Sequence, residues 1–226
     1  QNCSFPIAIC NTIMAAGMAH ISSLIEGGKS HRDAVAETYK ANRDVIFTGN
    51  GYSAEWPVEA QKRKLPNLRT TPMAIEQFNS EKTKKVFKEL EIFSPEETDA
   101  RQEVMFENYN TVLEIESETL VNMINKDILP ACAKDHERYA KLPATKALAD
   151  ERAVVYKAIH AETEKLKKVM ADRKDGSAKD VANYFCNTVK VQMEAVRRLV
   201  DKAEHLMDKD LYPYPTYEKM LYEHHS

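Results

Sequence analysis

The residues with the most chemical potential lie in one short stretch, Phe47-Thr48-Gly49-Asn50-Gly51-Tyr52-Ser53, followed closely by Trp56. Two glycines flanking an asparagine predict a tight, specific loop. In one reading Gly49 and Gly51 supply positive φ, and Tyr52 and Trp56 anchor the loop on neighbouring helices. In the other, Gly49, Asn50, Gly51, Tyr52 and Trp56 border a ligand site, because glycine turns carrying polar and aromatic groups often do that work. Sequence alone does not separate the two.

Elsewhere the search for chemistry is mostly empty. There is no GxxxxGK[ST] phosphate cradle, no GxSxG elbow, no HExxH, and no carboxylate-plus-histidine arrangement of the di-metal helical bundles. No catalytic residue and no metal ligand is assigned in this chain. His20, His31, His136, His160 and His205 are isolated on charged or mixed helix faces and read as surface or boundary residues. His224 and His225 sit together near the end and could chelate a metal incidentally. Cys3, Cys10, Cys132 and Cys186 form no CxxC pair and no regular framework, which suits reduced thiols in an intracellular protein, most of them small core residues.

Composition narrows the class further. The chain has 226 residues, 43% hydrophobic and 30% charged, enough apolar surface for a core and enough charge to solvate long helices. With 32 basic and 35 acidic side chains the net charge is -3, so no basic excess favours nucleic acid or anionic lipid. The apolar run from Phe5 to Ile25 is interrupted by Asn11, Thr12, His20, Ser22 and Ser23 and lacks a basic signal-peptide flank. It reads as a buried helix rather than a membrane span.

The elements that must position these residues are helices. Pro6 suits the first turn of a helix over Phe5 to Glu26 that Gly27-Gly28 stops, and Ser30 caps a second with Ala34, Val35, Thr38 and Tyr39 on one side. A short helix from Ser53 carries Trp56 and ends by Pro66, and another starts at Thr71-Pro72. Ser94-Pro95-Glu96-Glu97 is a capping box opening one long helix that reaches Pro130. Breaks at Leu142-Pro143 and Asp175-Gly176-Ser177 delimit two long helices, about 144–173 and 178–208, which a short connection folds back antiparallel. Tyr212-Pro213-Tyr214-Pro215-Thr216-Tyr217 is extended, because a residue before proline avoids the α region, and a last helical turn starts at Thr216. The fold class is all-α, with a helical hairpin or three-helix bundle in the C-terminal half.

The string Phe47 to Trp56, continuing through Glu59-Ala60, Arg63-Lys64-Leu65-Pro66-Asn67-Leu68 and Thr70-Thr71-Pro72, closely resembles the signature that follows the catalytic core of type III glutamine synthetases. Leu90 to Glu107 resembles the start of the acidic helix near glutamine synthetase C-termini, and Tyr212 to Tyr217 resembles the type III terminal motif. Lys64 stands where the family usually has glycine, Tyr214 where it commonly has phenylalanine, and Cys3-Ser4-Phe5 is an unusual lead-in. The resemblance implies that residues 1–129 are the C-terminal part of a catalytic domain, 130–210 a helical hairpin extension, and 211–226 a tail. It implies helices that pack on a catalytic domain preceding Gln1, which would hold the metal-binding glutamates, the phosphate-contacting arginines and the ammonia-site acid. The full-length family enzyme ligates ammonia to glutamate with ATP and Mg or Mn; no cofactor site falls in this chain. Expected partners are its own N-terminal catalytic domain or sister subunits in a homo-oligomer, in the cytoplasm or an organelle matrix. A non-catalytic structural or interaction subunit derived from a synthetase C-terminus is the alternative.

Overall fold

The computed structural model describes residues 3–222 and is all-α, with no strand among the described residues. Its two compact units are residues 1–104 and 105–226. The pair His224 and His225 lies outside the described residues.

The first unit opens with α1 (Ser4–Glu26), which ends in a Schellman turn: Gly28 takes φ 95° and the Lys29 amide donates to the Leu24 carbonyl at 3.1 Å. Helix α2 (His31–Ala41) starts where Ser30 Oγ accepts from the Asp33 amide at 3.1 Å, as expected. The short helices α3 (Glu55–Lys62) and α4 (Thr71–Phe78) follow. The cap of α4 is Thr70 rather than Thr71, which places Pro72 one position further into the first turn. Helix α5 (Glu81–Glu89) has no counterpart in the sequence reading; Ser80 caps it through the Thr83 amide. Helix α6 (Pro95–Met123) contributes its residues up to Val104 to this unit. Its capping box forms as expected, Ser94 Oγ accepting from the Glu97 amide at 3.1 Å and Glu97 Oε2 from the Ser94 amide at 2.8 Å.

An aromatic relay holds the first unit together. Phe5 meets Phe78 edge-on at 5.1 Å, Phe78 lies 5.4 Å from Phe87, and Phe87 lies 5.1 Å from Phe93, which the Arg101 guanidinium covers at 4.2 Å. Gln102 ties α6 to α4 by donating to the Ile75 carbonyl at 2.9 Å.

Helix α1 departs from its expected burial. Among its described side chains only Thr12 is buried, while Ile13, Met14 and Met18 are 67%, 65% and 66% exposed, and Cys3 and Cys10 are exposed too. The partly covered positions, Ala8, Ile9, Ala16, Ile21, Leu24 and Ile25, form a narrow stripe. The side that carries Ile13, Met14 and Met18 is open to solvent. The interrupting polar residues also do not exclude a membrane-spanning composition: the helix reaches a mean hydropathy of 1.4 over 18 residues.

In the second unit the chain runs from α6 through a π-helical turn, Ile124–Ile128, straight into α7 (Leu129–Ala140). The expected stop at Pro130 does not occur. A proline inside an α-helix removes one hydrogen bond and its ring strikes the carbonyl four residues earlier, here Lys126. The wider π-turn lies at that carbonyl, and the helix passes through the proline. After a 3-10 turn at Pro143–Thr145, helix α8 (Lys146–Ala171) pairs with the composite of α9 (Ala178–Tyr184), a second π-turn (Phe185–Val189) and α10 (Lys190–Leu206). This is the expected hairpin, α7 adding a third rod against α8.

Its core comprises Leu113, Ile124, Ile128, Ile159, Leu166, Phe185, Val189 and Val196 with their neighbours. Within it Asp135 is fully buried, and its carboxylate accepts from Arg152 Nε at 3.0 Å, Tyr156 Oη at 2.7 Å and the Asp208 amide at 3.2 Å. Such a buried charge is tolerable because both oxygens accept hydrogen bonds and Arg152 supplies the opposite charge. Burial, then Asp135, pushes the neighbouring Cys132 thiol up to about 12 and holds it as an inert core group. The tail folds back as well: Tyr214 Oη donates to Asp127 at 2.5 Å, and Thr216 Oγ1 caps α11 (Tyr217–Tyr222) through the Lys219 amide at 3.2 Å.

Candidate functional site

The glycine loop lies in the first unit between a 3-10 turn, Arg43–Val45, and α3. Neither Gly49 nor Gly51 has positive φ; Gly28 is the one glycine that does among the described residues. The turn is closed instead by Asn50, whose Oδ1 accepts from the Tyr52 amide at 2.9 Å, while its carbonyl accepts from Ser53 at 3.1 Å. Gly49 is required for another reason. A Cβ there would fall 2.4 Å from the tip of the Phe47 ring, so the ring closes down on bare backbone.

The aromatic anchors also differ from expectation. Tyr52 stands fully in solvent and anchors nothing. Trp56 is half-buried and stacks on Phe47, ring centroids 4.7 Å apart, which confirms half of the expected pair. The position that joins the loop to α3 is Arg63. Its guanidinium donates to the Ile46 carbonyl at 2.7 Å and the Asp44 carbonyl at 3.3 Å, lies 5.5 Å from the Phe47 ring, and pairs with Glu59 at 2.6 Å. The hydrogen bond from Arg63 holds the Glu59 carboxyl below its usual value. A one-turn i, i+4 spacing of Glu59 and Arg63 was the only sequence signal for this clamp.

Lys64 follows directly and takes φ 59°. Its amide donates to Gln61 at 3.0 Å and the Leu65 amide to Ala60 at 2.8 Å, the two bonds of a Schellman turn that ends α3. Left-handed backbone favours glycine, the residue that the resemblance leads one to expect at this place. Glu91 repeats the geometry at the end of α5, with φ 54° and the Ile92 amide on the Phe87 carbonyl at 2.9 Å.

What the arrangement offers is a loop held by Asn50, the Phe47–Trp56 stack and Arg63, with no acid–base pair placed together in it. Among the described residues no group of three His, Cys, Asp or Glu side chains is placed to hold a metal ion. These residues therefore do not fit a divalent metal or a nucleotide bound through one. Beside the loop's base, α2 presents a shallow apolar face of Val35, Ala36 and Tyr39 flanked by Arg32, Lys40 and Arg43. The expected burial of Val35 and Tyr39 is not found, because Ala34 and Thr38 supply the inward stripe.

Comparison with known proteins places this architecture. The family described as glutamine synthetase C-terminal domain matches residues 32–147. A type-3 glutamine synthetase of Dictyostelium discoideum is 30% identical over an alignment covering 98% of this chain and 34% of the relative. Glutamine synthetases of Butyrivibrio fibrisolvens and Bacteroides fragilis are 34% and 27% identical, each over 79% of this chain and 27% of the relative. The chain thus spans between a quarter and a third of the length of these curated relatives. The glycine loop, the Arg63 clamp, the capping box and the first part of the rods all fall inside the matched region, and the chain belongs to the glutamine synthetase family through its C-terminal domain.

Proposed function

We propose that this chain acts as the C-terminal part of a glutamine synthetase, an enzyme that ligates ammonia to glutamate at the expense of ATP, and that its own contribution is structural and oligomerising. The observation that carries this reading is the bare apolar side of α1, with Ile13, Met14 and Met18 about two-thirds exposed. Large apolar side chains at that density on one helix call for a covering surface. The covering surface in this proposal is the catalytic portion that the longer relatives possess. The groups that bind ATP and Mg or Mn, and that carry out phosphoryl transfer, belong to that portion in this reading; among the described residues no group of three His, Cys, Asp or Glu is placed to hold a metal ion.

The basic-rimmed face of α2 and the outer surface of the hairpin then serve contacts with sister subunits, in a cytoplasmic or organelle-matrix enzyme. The glycine loop, fixed by Asn50, Phe47, Trp56 and Arg63, forms a rigid edge facing the catalytic portion. The intact mass of the protein from its native source tests the proposal first. A mass near that of a full-length synthetase, with ATP turnover that needs both glutamate and ammonia, is the expected result. A mass close to 25.8 kDa, with no such turnover, replaces ligase activity with a purely structural role.

A further inference from the structure

In the second unit α6, the end of α8 and the π-turn Phe185–Val189 form a cleft of about 420 Å³. Its floor is apolar, made by Val121, Met170, Phe185 and Val189. Its rim carries charges of both signs. Glu114 and Glu118 project one turn apart from α6, and Lys167 and Arg173 come from α8 and the residues just beyond it. Arg173 Nη1 donates to Glu114 Oε1 at 2.9 Å and its guanidinium lies 5.7 Å from the Phe185 ring. Lys167 donates to Glu164 of its own helix at 2.6 Å, and the exposed Glu118 carboxylate has no protein partner among the described residues.

We infer that this cleft binds a free α-amino acid with an apolar side chain. A ligand of single sign would meet repulsion from one half of the rim; a zwitterion satisfies both halves, its ammonium at Glu118 and its carboxylate at Lys167 and Arg173. The floor takes the side chain, and the volume suits a small ligand. The π-turn is the second mark of a site. It contributes both Phe185 and Val189 to the floor, and π-turns inside helices are frequent at functional sites; unlike the turn at Ile124–Ile128, this one has no proline beside it to accommodate. This inference stands apart from the ligase reading, since the cleft is formed within the second unit alone.

The test uses the full-length protein, leucine as ligand, and the two halves of leucine, 3-methylbutylamine and 4-methylpentanoate. Leucine is expected to slow hydrogen exchange in peptides covering 114–122 and 167–173. Each half-ligand binds about tenfold more weakly or worse, as the loss of one charged hydrogen-bonded group implies. Glu118→Gln and Lys167→Met each weaken leucine binding about tenfold with thermal unfolding unchanged, both side chains being at the rim rather than in the core. Protection elsewhere only, no protection at millimolar leucine, half-ligands that bind as well as leucine, or rim variants that bind normally would each overturn the assignment.

Discussion

Helices α1 and α8 are similar in length and both carry apolar residues at helical spacing, yet they end in opposite environments. On α8, Ile159 and Leu166 have no exposure, and even a carboxylate facing that helix, Asp135, is sealed in with an arginine and a tyrosine as donors. On α1 the corresponding apolar side chains stand in solvent. Periodicity specifies a face that must be covered; it does not say by what. The second unit covers its own faces with α7, α9 and α10, whereas one side of α1 in the first is left exposed.

The sharpest way to break that comparison is at the buried charge. Asp135→Ala leaves Arg152 and Tyr156 without their acceptor and should cost about 3–5 kcal/mol in urea unfolding. A loss below about 1 kcal/mol would mean water reaches the cluster. Next, Ile159→Ala should cost about 3–4 kcal/mol, whereas Ile13→Ala in the 226-residue chain should cost less than about 0.5. Equal costs would erase the contrast between the two helices. In the first unit, Trp56→Ala removes a half-buried stack on Phe47 and should lower stability by about 2 kcal/mol. An unchanged midpoint in that variant would remove its anchoring role. Smallest of all, Lys64→Gly should raise stability by about 0.5–1 kcal/mol, the relief of left-handed strain offset in part by glycine's entropy in the unfolded chain. Glu91→Gly should act in the same direction, and a loss at both positions would show that the turns at α3 and α5 are not left-handed in solution.

Much of this architecture was legible wherever a signal was local. Ser30, the Ser94–Glu97 box, Gly28, Ser177 and Thr216 each mark a terminus that the structure places within a residue or so, because capping depends on atoms a few positions apart. Helix α5 is faint in the sequence because its lysine-rich run carries only a thin apolar stripe, Val86 and Phe87. Pro130 read as a stop because the π-turn that accommodates it leaves no signature in residue types. The candidate site was half legible. Asparagine's turn-forming chemistry and the Trp56 anchor could be anticipated, but the roles of Gly49 and Arg63 depend on where the Phe47 ring lands, a contact that spacing does not encode. Exposure of Tyr52 was invisible for the same reason.

The π-turn before Pro130 also bears on how such a rod can change by insertion and deletion. A π-turn holds one residue more than the α-turn it replaces, so the extra residue and the proline are a linked pair. Deleting one residue from Ile124–Ile128 would restore α spacing and keep the faces of everything beyond it, but would drive the proline ring against a carbonyl. Losing the proline as well removes the clash, so a rod shortened there keeps Asp135 and Cys132 in the interior. The same deletion within the regular part of α7 has no such slack and would turn the residues beyond it by roughly a quarter turn, carrying buried side chains toward solvent.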